Sequence, residues 1–262
     1  MKRPSTTWLL VLPGVLLSVF LGLPVAAMLL EGLTPDLLTR LSQAQAVSAL
    51  RLSLSTSLAS TLLAIVLGAP LAFALARWRF RGKALIELIV DLPIVLPPSV
   101  AGLALLLAFG RRGLLGGSLV AWGVSLPFTT LAVVLAQLFV AAPLFVRAAR
   151  LGFINVDKEL EESAVTEGAS NWQLFRYVMV PTAGTSLISG GLLCLARALG
   201  EFGATLLFAG NLMGRTQTMP LAIYIGLESD RGVAIALSLI LLGVSAVLLA
   251  LLRSLEQNWR PG

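Results

Sequence analysis

Arg197 and Glu201 stand four positions apart in a stretch, Thr182 to Leu212, that carries no other charge. At that spacing two side chains share one face of a helix. If the stretch crosses a bilayer, both charges are expensive unless paired or wetted. Two readings are open. The residues can form a mutual pair that only holds a helix bundle together. Alternatively, they border a passage for an anion, with Arg197 facing the ion and Glu201 keeping it from binding too tightly, since conduction needs contacts that an ion can leave. Gly200 and Gly203 belong to the same candidate passage.

Other chemistry is hard to build from this chain. Its 262 residues include no histidine and one cysteine, Cys194. No Cys/His metal site, Ser-His-Asp triad or disulfide can be assembled from them alone. Gly82-Lys83 lacks the upstream glycine and the following Ser/Thr of a phosphate cradle, so ATP hydrolysis is not expected of this polypeptide. Glu201 and Asp91 are the carboxylates an intramembrane enzyme would have to use, and neither sits in a recognisable catalytic constellation. The expectation is no catalytic residue, no metal and no cofactor.

A different kind of site lies before the fifth apolar run, where Glu162-Ser163-Ala164, Gly168 and Val178-Met179-Val180-Pro181 occupy a polar segment of about residues 155–181. Asn155 is the expected N-cap of a helix running to Glu167, with Asp157 and Glu159 at the positive end of its dipole and Gly168 as its stop. Ser170 with Gln173 has capping-box spacing, which predicts a second helix to about Pro181. Two helices meeting at a glycine corner make a lever.

The elements that must hold these residues are membrane helices. Hydrophobic residues make up 57% of the chain and charged ones 12%, and the mean hydropathy is +0.93, which excludes an ordinary soluble domain. Apolar runs at Trp8–Leu30, Leu52–Ala76, Leu92–Phe109, Leu119–Val146, Thr182–Leu212 and Gly232–Leu252 predict six spans in one all-α membrane domain covering 1–262. The third is interrupted by Pro93, Pro97 and Pro98 and is expected to enter irregularly. The first is too long for the apolar core of a signal peptide and is expected to remain as a span.

Twelve basic residues (Lys2, Arg3, Arg77, Arg79, Arg81, Lys83, Arg147, Arg150, Lys158, Arg176, Arg253 and Arg260) fall at span ends on one side. Six, Arg40, Arg51, Arg111, Arg112, Arg215 and Arg231, fall on the other. The asymmetry puts both termini and the Glu162 segment in the cytoplasm. No basic run is interleaved with aromatics, so the net charge of +6 reads as topology and not as nucleic-acid binding.

The order Glu162-Ser163-Ala164, Gly168, Val178-x-Val180-Pro181 resembles the EAA loop of permease subunits from binding-protein-dependent ABC importers. Ser163, Val178 and Val180 depart conservatively from that family's pattern. Arg197-Ala-Leu-Gly-Glu-Phe-Gly-Ala-Thr205 and Thr216-Gln-Thr-Met-Pro-Leu-Ala-Ile-Tyr224 are similar to the molybdate and sulfate branch. Leu96-Pro-Pro-Ser-Val-Ala-Gly102 and Gly110-Arg-Arg-Gly113 lean toward its molybdate members, although tungstate and sulfate are also tetrahedral dianions. The resemblance implies a homodimer of six-helix subunits of the type I permease fold in the inner or plasma membrane. It also implies two copies of an ATPase whose clefts take the Glu162 loops, and an extracytoplasmic oxyanion-binding protein.

Small residues at Gly190, Gly191, Gly200, Gly203, Ser238, Gly243, Ser245 and Ala246 are compatible with a dimer. Selection of the ion is expected of the binding protein, because beyond Arg197 the spans offer mainly hydroxyls such as Ser53, Ser55, Thr56 and Thr61. The rival class is an ion-coupled secondary transporter using Arg197 and Glu201 as a relay, which predicts an internal repeat that the sequence does not display.

Overall fold

The computed structural model describes residues 7–258, with side chains for 11–255. Lys2, Arg3 and Arg260, counted above for orientation, lie outside the described residues. Among the described residues the regular secondary structure is all helical. Its first half runs through α1 (Thr7–Gly32), α2 (Leu37–Leu41), α3 (Ala44–Arg77), α4 (Lys83–Val95), α5 (Pro98–Phe109), α6 (Gly116–Ala121) and α7 (Thr130–Ile154). The second half holds α8 (Lys158–Thr166), α9 (Asn171–Gln173) with a π-helical continuation over Leu174–Met179, α10 (Val180–Thr182), α11 (Gly184–Leu199), α12 (Gly203–Ala209), α13 (Met219–Ser229) and α14 (Arg231–Asn258).

At the centre, α3, α7 and α11 pack together because α3 is small along one side. Ala46, Ala49, Ser53, Thr56, Ser60, Ala64, Gly68 and Ala72 recur every three or four residues and are all buried. That spacing keeps them on one stripe, which lets neighbouring backbones approach. A Cβ on Gly68 would sit 3.0 Å from both Phe145 and Val146 of α7. Gly190 of α11 is equally constrained, since its Cβ would come within 2.8 Å of Ala148 Cβ. The large buried side chains of Phe73, Phe145, Phe153 and Met179 then fill the layer, in one cluster with the smaller Cys194 and Ala198. The outer helices behave differently. Much of α1 is exposed Leu, Val and Phe, the surface a lipid-facing helix presents.

Among the described residues, not all of the six expected spans are single continuous helices. Among the described residues four single helices are long and apolar enough to cross a bilayer: Val11–Gly32, Ala44–Arg77, Thr130–Ile154 and Arg231–Leu255. A fifth arises if Asn171–Thr182 and Gly184–Leu199, bent by 77°, count as one. The expected third span divides into α4 and α5 at Leu96–Pro97, where Leu96 and Pro97 turn extended and two prolines cannot continue the hydrogen-bond ladder. The expected fifth span divides into α11 and α12 around Gly200 to Phe202. The two breaks are neighbours: a Cβ on Gly203 would lie 2.7 Å from Pro98 Cβ, and one on Gly102 would lie 3.0 Å from Ala204 Cα.

Candidate functional site: a capped arm and a broken span

The polar arm folds much as local signals dictate, with one shift at its start. Asn155 ends α7 as its C-cap, and the N-cap of α8 is Asp157, whose Oδ1 accepts from the Glu159 amide at 3.0 Å. The expected Asn155 cap is therefore corrected by two residues. Val156 is buried in the core cluster, so the chain between the helices is held by packing and leaves the acid at 157 to meet the open amides. At the other end Gly168 has φ +89°, a left-handed conformation that glycine adopts without a Cβ penalty. The Gly168 amide donates to Val165 O at 2.9 Å and Ala169 to Ala164 O at 3.0 Å, closing the last turn.

Both bonds of the capping box then form, Gln173 N to Ser170 Oγ at 3.3 Å and Ser170 N to Gln173 Oε1 at 2.8 Å. The second helix does not stop at Pro181. It runs as a π-helical stretch to Met179, continues through Val180–Thr182 and turns at Ala183 into α11. Pro181 lies inside this continuous run, and its missing N–H leaves a gap in the ladder where the π-helical stretch passes into α10.

The arm is fastened to the bundle. Arg77, at the end of α3, places Nη1 3.3 Å from Glu161 Oε2 and donates from Nη2 to Val156 O at 2.8 Å. Its side chain is only 10% exposed, so the pair is better shielded than a surface bridge. Underneath, Phe175 stacks near Phe73 and Phe153, and Leu174 and Met179 are buried. Arg150 with Glu87 at 2.8 Å and Arg147 with Asp91 at 3.8 Å tie α4 to the same end of α7, which gives Asp91 a structural partner. Glu162, Ser163 and Gly168 point outward, Ala164 and Val178 are half-buried, and Pro181 is exposed. Beside them Leu160, Val165, Trp172 and Tyr177 are uncovered, so the arm exposes large apolar side chains among its polar ones.

Arg197 and Glu201 do meet, with Nη1 2.8 Å from Oε2, but not on a continuous helix face. Glu201 lies in the break. Its Oε1 accepts from the Ala204 amide at 2.8 Å, so the carboxylate caps the start of α12 while contacting a side chain of α11. The Arg197 contact is short yet not aligned for a hydrogen bond, leaving Oε2 without an aligned donor; for two full charges, separation decides the electrostatics. The pair is also lopsided. Glu201 is 1% exposed and Arg197 34%, so the arginine is the partly accessible member of the pair. Gly200 is exposed and Gly203 half-buried against Pro98.

Of the hydroxyls named from sequence, three are occupied elsewhere, while the buried Thr61 Oγ1 makes no protein hydrogen bond. Ser53 Oγ accepts from the Met219 amide at 2.7 Å, and Thr56 and Ser55 donate to Leu52 O in their own helix. Gly190, Gly191 and Gly203 are used for packing inside the subunit, while Gly243, Ser245 and Ala246 remain on the surface. Sequence reasoning passed over Gln137, buried in the first third of α7; a lone amide among apolar neighbours was its only signal.

Residues 64–261 match the family of binding-protein-dependent transport system inner membrane components. The chain is 42% identical over 236 residues to the molybdenum transport system permease protein ModB of Mycobacterium tuberculosis (strain ATCC 25618 / H37Rv), covering 90% of this chain and 89% of that protein. It is 39% identical over 207 residues to ModB of Escherichia coli (strain K12), covering 79% and 90%. A molybdate/tungstate transport system permease protein, WtpB of Thermococcus kodakarensis (strain ATCC BAA-918 / JCM 12380 / KOD1), is 34% identical over 253 residues, covering 95% and 96%. Among solved structures, a bacterial ABC transporter involved in the import of the acidic polysaccharide alginate superposes with a TM-score of 0.79 at 18% identity, over 99% of this chain and 98% of that one. Broken spans, a capped arm fastened to the bundle and a match over most of the length agree: the chain is a multi-pass membrane protein of the binding-protein-dependent transport system inner membrane component family.

Proposed function

We propose that this chain is the membrane subunit of an ATP-driven importer that carries a tetrahedral oxyanion, molybdate first, into the cytoplasm. The names of its relatives in two bacterial species support molybdate, and the WtpB relative supports tungstate as a second cargo of the same pathway. Two copies enclose the passage, with the exposed Gly243, Ser245 and Ala246 of α14 available for contact between membrane helices. A separate ATPase, two copies per transporter, covers the uncovered face of the arm around Glu162, Ser163, Ala164, Gly168 and Val178. An extracytoplasmic binding protein selects and delivers the ion. Both termini and the arm face the cytoplasm, following the excess of basic residues on that side.

The observation that carries this reading is that the arm is fixed to α3 and α7 through Arg77–Glu161 and the Phe73–Phe153–Phe175 cluster and runs directly into α11 through Val180–Ala183. A push from an ATPase is therefore delivered to three central helices together. Closure of the ATPase moves the arm and the helices reorient, opening the passage outward; hydrolysis resets it. Arg197, the partly exposed member of the pair, meets the ion, and the buried Glu201 keeps the contact weak enough to leave.

Uptake of radiolabelled molybdate by membranes containing the complete transporter tests this directly. Competition by excess tungstate but not by sulfate is expected, and a Gly168→Trp variant should insert normally yet fail in uptake. Normal uptake by that variant would count against the arm as the route of coupling, and indifference to both competing dianions would count against the cargo.

A further inference from the structure

The polar atoms around the break in the fifth span are not all accounted for by protein partners. Gln137, 1% exposed, makes no protein hydrogen bond through Oε1 or Nε2, and the fully buried Thr205 makes none through Oγ1. Glu201 Oε2 likewise lacks an aligned donor. Inside a membrane bundle, an amide with neither end satisfied is among the costliest neutral groups to bury.

Helix register brings these groups to one place. α7 and α11 run antiparallel, with Gly152 against Ser186 and Gly190 against Ala148. Each step of four residues back along α7 is matched by four forward along α11, so Ala141 falls level with Arg197 and Gln137 level with Glu201. The face of α7 agrees. Ala141 and Phe145 share a cluster with Cys194 and Ala198 of α11, and Val133, Ala136 and Val140 share one with Ala204 and Phe208 of α12. At about 100° per residue, Gln137 lies between those two strips and so faces the junction of α11 with α12. Thr205 follows Ala204 in that same short helix.

The chemistry at the junction selects what fits. An anion is opposed by the buried Glu201 carboxylate. A cation is opposed by the Arg197 guanidinium 2.8 Å from Oε2 and by the Gln137 amide donors. Water both donates and accepts, which is what an amide, a hydroxyl and a carboxylate oxygen together require. We propose that bound water fills the junction of α7, α11 and α12, bridging Gln137, Thr205 and Glu201 and keeping the break in the fifth span hydrated. Such water can exchange partners as α12 shifts against α11, so the joint moves without stranding a polar group.

The sign of a substitution distinguishes a wet junction from a dry one. In a dry site, Gln137→Met removes an orphaned amide and raises the unfolding midpoint; in a wet site it breaks water-mediated bonds. In the purified protein in nanodiscs, with whatever subunits co-purify, the midpoint is expected to fall by about 2–4 °C. Hydroxyl-radical footprinting of the unaltered protein supplies a second readout, independent of whether the variant folds. Bound water is a local radical source, so Phe208, 0% exposed and three residues from Thr205, is expected to be oxidised. An unchanged or raised midpoint in Gln137→Met, or no label at Phe208, overturns the proposal.

Discussion

Replacing Gly168 by valine isolates the corner of the arm from everything around it. At φ +89° the residue sits where an ordinary L side chain costs on the order of 1–2 kcal/mol, and a β-branched one sits at the upper end. No heavy atom lies within 4 Å of the position a Cβ would take, so none of the penalty is steric contact within the subunit. A cost of that size lowers the population of the closed corner about 5- to 30-fold relative to its opened alternatives. Hydrogen exchange is the assay, because the Gly168 and Ala169 amides close the last turn of α8. In Gly168→Val those amides should exchange faster by about that factor, and molybdate taken up per ATP hydrolysed should fall with them. Gly168→Asn is the control, since asparagine tolerates the left-handed region, and it should keep most of both. Equal losses in valine and asparagine variants would refute the conformational explanation, and full coupling in valine would refute the lever itself.

Three further outcomes follow from the same contacts. Ser170→Ala removes one bond of the capping box and should cost about 0.5–2 kcal/mol of local stability, read as faster exchange of the Gln173 amide with the rest of the bundle unchanged. Arg77→Met keeps the buried stem but loses a partly shielded ion pair and a charge-assisted bond to Val156 O. Since removing the arginine also leaves that carbonyl without its donor, a loss of about 1.5–3 kcal/mol is expected, seen as a lower melting midpoint and ATP turnover less well coupled to uptake. Glu201→Gln keeps an acceptor for the Ala204 amide but frees Arg197, so the apparent KM for molybdate should fall while kcat also falls. A rise in KM at constant kcat would mean that Glu201 does not restrain Arg197.

Local signals were the legible part of this chain. Ser170 and Gln173 form both capping bonds because the two residues supply donors and acceptors to each other across one turn, and nothing distant competes. Gly168 stops its helix for an equally local reason. Asn155 failed as a cap because Phe153 and Val156 are drawn into the core, which carries α7 to Ile154 and hands the cap to Asp157. Pro97 and Pro98 announced a break in the third span, whereas the break at Gly200 to Phe202 was hidden by an Arg197–Glu201 spacing that suits a continuous helix. The pair survives because the Glu201 carboxylate turns back toward α11 while capping α12. The Arg77–Glu161 strap and the unpartnered Gln137 were not legible at all. The strap joins residues far apart in sequence, and the isolation of Gln137 depends on the register of three helices.

The central claim is that work reaches the passage from another polypeptide through the arm that follows α7. Oxyanion uptake into proteoliposomes, with and without a partner ATPase and ATP, measures it most directly. Vesicles holding only this chain should accumulate no molybdate against a gradient, and addition of the ATPase, ATP and loaded binding protein should restore accumulation. Concentrative uptake by this chain alone, driven by an ion gradient, would contradict the account.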